Sequence, residues 1–164
     1  VNMNTEYYPL QQPDDLPARE REDAMGAYFM MFASLAAGLP LPIINLIAAI
    51  IYYHINKHKS RFVRFHSLQS LLSQLPVSLL NAGLVVWAIS FFKFDFKFDN
   101  TFLAYLIVVI LANLVYLAFS IVAAVKARQG RMYYFLFFGR LSYEIVYKIK
   151  DEIEERIFEN NPPI

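Results

Sequence analysis

Residues 57–69 read KHKSRFVRFHSLQ and divide an apolar half upstream from a longer apolar half downstream. Lys57, Lys59, Arg61 and Arg64, with His58 and His66 among them, make this the densest run of positive charge in the chain. On either side charge disappears, from Ala24 to Tyr53, from Leu68 to Phe92 and from Thr101 to Val125. A helix rises about 1.5 Å per residue and needs about 20 apolar residues to cross hydrocarbon. The chain therefore reads as an all-α integral membrane protein, and the basic run marks the side of the bilayer on which its loop lies.

Composition agrees. Of 164 residues, 57% are hydrophobic and 18% charged, where a soluble domain carries about a quarter charged residues. The net charge of +1 gives no reason to expect a nucleic-acid partner. The absence of cysteine excludes disulfides, thiol catalysis and cysteine-ligated metal. Residues 1–23 are polar and acidic, unlike the basic-then-apolar pattern of a signal peptide, so the membrane segments are expected to act as their own insertion signals.

In chain order, residues 1–18 are expected as a flexible or extended tail, with three prolines and no apolar periodicity. Residues 19–130 follow as a helical membrane bundle. Its first apolar segment, Ala24 to Ile55, is too long for one ordinary span and carries Gly38-Leu39-Pro40-Leu41-Pro42 at its middle. Two prolines that close remove two backbone donors, which predicts a short hairpin of helices near Arg19–Ala37 and Pro42–Lys57; one long kinked helix is the alternative. His66 to Phe92 and Thr101 to Val125 read as two full spans, the first kinked at Pro76, so the count is four apolar helical segments. Between the full spans, FFKFDFKFDNTF alternates aromatic with charged residues and reads as an interfacial loop. Residues 131–164 are expected to form a cytoplasmic amphipathic helix and tail. There Ile145, Ile149, Ile153 and Ile157 recur every four residues, and the acidic opposite face favours docking on a partner protein over a lipid surface.

Lysine and arginine accumulate on cytoplasmic loops. Lys57, Lys59, Arg61 and Arg64 before the first full span, and Lys126, Arg128 and Arg131 after the second, place both ends of that hairpin in the cytoplasm and at anionic headgroups. The intervening loop balances Lys93 and Lys97 against Asp95 and Asp99. A bacterial cytoplasmic membrane with the C-terminus inside follows as the expected location.

A polar stripe runs along the first full span. His66, Gln69, Ser70, Gln74, Ser78 and Asn81 step by helical intervals with Ser67 beside them, and Asn113, Tyr116 and Ser120 do the same on the second. Polar groups inside lipid face a bundle interior or a wet cavity. The stripe reads either as hydrogen-bonding glue between helices or as a hydrophilic groove. No nucleophile–base pair, glycine-rich phosphate loop or paired intramembrane carboxylate occurs, so no catalytic, cofactor or metal site is expected and the protein reads as non-enzymatic.

The segment SRFVRFHSLQSLL resembles the FVRF–(H/N)–x–x–Q signature of the small polytopic subunit of the chloroplast inner-envelope protein import translocon. AAVKARQGRMYYFLFFGRL and PLPIINLIAAIIYYHINKHKS are similar to blocks of its uncharacterised bacterial relatives, although Gln129-Gly130-Arg131 stands where those have glycine followed by an acid. The resemblance covers Ala24 to Arg140 and implies a four-helix membrane protein with a role around protein translocation. The combined expectation is a non-enzymatic subunit of a larger membrane complex, an accessory or scaffold of translocation or insertion machinery, in contact with lipid and other membrane proteins. A small channel or carrier using the polar face of the third helix is the alternative.

Overall fold

Helix α4, Arg61–Lys93, is the spine on which the first, third, fifth and sixth helices pack. The computed structural model describes residues 7–38, 41–93 and 98–149. Within them the chain runs α1 (Ala18–Phe29), a 3₁₀ turn (Met30–Phe32), α2 (Ala33–Ala36), α3 (Pro42–Asn56), α4 (Arg61–Lys93), α5 (Asn100–Arg128) and α6 (Leu136–Tyr147), with no strand among the described residues. The protein is all-helical. Helices α4 and α5 are long and apolar enough to cross a membrane, and only 6% and 22% of their most apolar stretches are buried within the protein. Core helices of a soluble protein would be largely covered; these present their apolar surface outward, and the chain is a membrane protein.

The spine has two unlike halves. Apart from Ser78, every buried residue of α4 lies between Phe62 and Gln74, wrapped by α1, α3 and α6. Beyond Pro76 the same helix is bare on most sides, with Leu79 at 73% and Phe92 at 91% exposure. The helix continues through Pro76 without interruption, although proline supplies no amide to the preceding turn.

Helices α1 and α3 run antiparallel on the shielded half. The chain reverses at Gly38, whose φ of 68° is readily available only to a residue without Cβ. Just before the turn the Ser34 amide donates to Asn45 Oδ1 at 2.7 Å, and at the other end Tyr52 Oη donates to the Asp23 carbonyl at 2.7 Å. Helices α4 and α5 are likewise antiparallel, clipped by Tyr105 Oη donating to the Leu80 carbonyl at 2.8 Å. These two clips share a device. Gly26 and Gly83 each lie three residues after the accepting carbonyl, and a Cβ on either would collide with the tyrosine hydroxyl. Small residues complete the packing where Ala123, Ala124 and Ala127 of α5 meet Ala24 and Tyr28 of α1 in one cluster, as membrane helices pack when lipid offers no hydrophobic contrast.

At both ends of the described residues the chain packs on the bundle. The segment expected as a flexible tail is, from Tyr7 to Pro17, laid across the bundle. Tyr8 N donates to the Tyr147 carbonyl at 2.8 Å, Gln11 Oε1 accepts from Phe62 N at 3.1 Å, and Leu16 is buried. The expected C-terminal helix starts at Leu136 but stops at Tyr147, where Lys148 turns extended and bridges Tyr7. Ile145 is exposed on α6, Ile149 lies past its end, and Ile153 and Ile157 fall outside the described residues. Residues 131–149 pack on α4 through Val146 and Tyr147.

The glycine–tyrosine clip makes a prediction. Gly83→Ala should lower the thermal stability of the detergent-solubilised chain by the equivalent of about 1–3 kcal/mol, because the Leu80 carbonyl loses its donor. In Gly83→Ala/Tyr105→Phe the collision is gone, so the double variant should lose less than the two singles summed. Simple additivity would show that the clip is not the cause.

Candidate functional site

The first turns of α4 place Phe62, Phe65, His66 and Gln69 on faces covered by α1, α6 and the 131–135 segment. All four are fully buried. A buried polar side chain must find partners or forfeit its hydration, and Gln69 finds three. Its Nε2 donates to Tyr28 Oη at 2.8 Å and to the Tyr133 carbonyl at 3.0 Å, and its Oε1 accepts from Phe135 N at 3.1 Å. One amide therefore ties α1, α4 and the return segment before α6. Gly139 makes room for it: a Cβ there would lie 2.6 Å from Tyr134 Cα and 2.9 Å from Gln69 Oε1.

His66 completes the junction. Its Nδ1 lies 2.8 Å from Tyr28 Oη. The Tyr28 hydroxyl thus meets the Gln69 amide and the His66 ring at once. Phe62, Phe65 and Tyr28 surround the ring with centroids 4.6, 5.1 and 5.7 Å away. Below it Ser70 Oγ donates to the Ala27 carbonyl at 2.7 Å and Ser73 Oγ to the Ser70 carbonyl at 3.1 Å. Ser67, Gln74, Ser78, Tyr116 and Ser120 are buried in the same band.

Further along α4 the stripe ends in a reciprocal pair. Asn81 and Asn113 each donate to the other's Oδ1 at 3.1 Å, and each also donates to the carbonyl four residues earlier in its own helix. Of the polar residues singled out by spacing, His66, Gln69, Ser70, Asn81 and Asn113 are thus engaged with neighbouring helices or backbone, while Ser67, Gln74, Tyr116 and Ser120 each keep a buried polar atom without a partner among the described residues.

The basic residues divide into four groups. Lys59 Nζ pairs with Asp23 at 2.6 Å and Arg128 with Glu22 at 3.0 Å, so two acids of α1 neutralise two cations expected at headgroups. These pairs are surface-exposed and contribute little stability. The Arg61 guanidinium stacks on Tyr8, 3.5 Å from the ring centroid. Lys57 and Arg64 border a cavity with Gln11, while Lys126 and Arg131 sit at the end of α5, where Arg131 N donates to the Lys126 carbonyl at 2.9 Å. His54 has its Nδ1 2.9 Å from the Ile50 carbonyl, and His58 lies in the turn after α3. Among the described residues no three His, Cys, Asp or Glu side chains gather as metal ligands. On α6, burial pushes the Tyr147 phenol above its ordinary pKa.

Spacing alone missed Tyr28, Ser73, the backbone partners at Tyr133 and Phe135, and the acids Glu22 and Asp23. Tyr28 stands in an otherwise uncharged apolar run with nothing local to mark its hydroxyl, and backbone partners leave no trace in residue type.

Fold and site together define a class: an all-helical membrane protein whose polar groups join helices around one buried junction. The family model described as MamF/MmsF, the magnetosome magnetite crystal formation protein family, matches residues 22–142, and the chain belongs to that family. The match begins within α1, takes in Tyr28, His66, Gln69 and Gly139, and ends within α6. It overturns the resemblance to the import-translocon subunit, and with it the expected role in translocation or insertion; nor does it support a channel or carrier. No curated protein and no solved structure matches the chain.

If Gln69 is the tie, Gln69→Leu should strand the Tyr133 carbonyl and the Phe135 amide together. Amide hydrogen exchange across Met132–Phe138 should then rise at least ten-fold in detergent. Unchanged exchange there would refute the tie.

At the asparagine pair, Asn81→Leu or Asn113→Leu alone should destabilise more than the double replacement, because each single change leaves one amide unpaired. Thermal unfolding of the three variants decides this. A double variant that loses the full sum of the two would count against the pairing.

Proposed function

We propose that the chain is a non-enzymatic membrane protein of a magnetite-forming compartment, where it takes part in forming the crystal. The observation that carries this reading is the family match over residues 22–142, which coincides with the bundle itself. The geometry suggests how such a protein would be arranged. The basic residues before α4 and after α5 lie at one end of the long hairpin and favour the cytoplasmic face. The other end, at Lys93 and Asn100, is then the one turned toward the compartment interior. There Trp87, Phe91, Phe98 and Phe102 pack as an aromatic cluster, suited to headgroup depth. Asp99 Oδ1 accepts from Phe102 N at 2.8 Å and fixes the first turn of α5.

In this reading α1–α3 form a second, shorter hairpin in the same bacterial membrane, which brings the apolar segments to four, and the C-terminal side is cytoplasmic. The buried junction keeps the short hairpin, the long hairpin and the return segment in one rigid unit. The interior-facing end is thereby held at a fixed depth beside the growing mineral.

The test is genetic and structural. In a magnetite-forming bacterium lacking this chain, electron microscopy should show crystals altered in size or shape, restored by the wild-type chain and not by Gln69→Leu. Crystals indistinguishable from those of the parent would remove the proposal. Cysteines introduced at His58 and Thr101 should be labelled from opposite faces of the membrane; same-face labelling would overturn the orientation.

A further inference from the structure

Where the basic run of residues 57–64 meets the N-terminal segment, the structure holds a cavity of about 480 Å³ that the junction does not use. Gln11, Lys57, His58, Lys59, Arg61 and Arg64 line it, and among the described residues no carboxylate does. Two of its cations have a partner already, Lys59 in Asp23 and Arg61 in the Tyr8 ring. Arg64 has a buried Nε without a hydrogen-bond partner among the described residues. The nearby amides of α4 are taken, Phe62 N by Gln11 Oε1 at 3.1 Å and Val63 N by Ser60 Oγ at 3.4 Å. Whatever occupies the cavity must therefore be held by side chains. Lysine and a planar guanidinium with no carboxylate beside them among the described residues are donors suited to phosphate oxygens.

We propose that this cavity binds a phosphate oxyanion. Its position favours a lipid headgroup as the source over a free anion. Ile43, Ile47, Ile51 and Ile55 of α3 are 55%, 48%, 53% and 67% exposed, and at intervals of four they form one apolar ridge that ends beside Lys57. A phospholipid seated here lays an acyl chain along the ridge and its phosphate between Lys57 and Arg64. The N-terminal segment supplies the opposite wall through Gln11 and holds Arg61 aside through Tyr8. This site is independent of the role proposed in crystal formation.

The experiment uses the full chain in mild detergent, with native mass spectrometry after addition of phosphatidylglycerol or phosphatidylcholine and, separately, inorganic phosphate. One phosphatidylglycerol should be retained in preference to phosphatidylcholine. Lys57→Gln should weaken retention about five-fold and Lys57→Gln/Arg64→Gln about thirty-fold, as expected for roughly one lost lipid–cation interaction per charge. Lys126→Gln, at the same end of the hairpin but outside the cavity, should retain lipid like the wild type. Retention of inorganic phosphate alone, lost in Lys57→Gln, would sustain the phosphate site and assign it to a free anion. Equal retention in wild type and Lys57→Gln, which leaves the packed Arg64 untouched, would overturn the proposal, as would an equal loss in Lys126→Gln.

Discussion

Gln69 makes three hydrogen bonds at once in a place from which water is excluded, and the arrangement of the other elements follows from satisfying it. A glutamine amide has two donors and an acceptor oxygen to place. Here α1 supplies the Tyr28 hydroxyl, while the 131–135 segment supplies a carbonyl at Tyr133 and an amide at Phe135. Removing any one of these leaves a buried polar group unmade, a cost of about 1–3 kcal/mol each. The junction therefore specifies which segments meet, beyond adding attraction between them.

Specification of this kind matters more in lipid than in water. Acyl chains are as apolar as leucine, so burial of an apolar face gives membrane helices little reason to associate. The chain meets this constraint in three ways along one spine. The shielded half of α4 uses the glutamine–tyrosine–histidine junction; the middle uses the Asn81–Asn113 pair; and both hairpins use a tyrosine hydroxyl set into the space left by a glycine. The bare half of α4 beyond Pro76 carries little besides α5, consistent with a rigid unit at one end of the bilayer and a simple two-helix extension through the rest.

Much of this was legible in the residues. The uncharged runs located both long helices to within a few residues at most boundaries, and the helical spacing of Ser70, Gln74, Ser78 and Asn81 put them on one face of α4. What the residues did not show were the partners. Tyr28 counts as apolar in an apolar stretch, and the groups that Gln69 binds at Tyr133 and Phe135 belong to the backbone. Glu22 and Asp23 look like an acidic helix start and become counter-ions only when α1 lies beside α3 and α5. The isoleucine period after Leu141 runs past Tyr147, where α6 ends and Lys148 pairs with Tyr7, a long-range contact that local periodicity cannot register. The Phe62–Gln69 motif was similarly double-edged: it marks the residues at the heart of the junction, yet the translocon family it suggested gives way to the magnetosome family that matches residues 22–142.

The central claim is that Tyr28 and Gln69 act as one unit binding α1 to α4. A double-mutant cycle of Tyr28→Phe and Gln69→Leu, read by unfolding of the detergent-solubilised chain, measures their coupling directly. The account predicts a coupling energy of about 1–2 kcal/mol, since the second change removes a partner already lost to the first. Effects that add to within about 0.3 kcal/mol would contradict it.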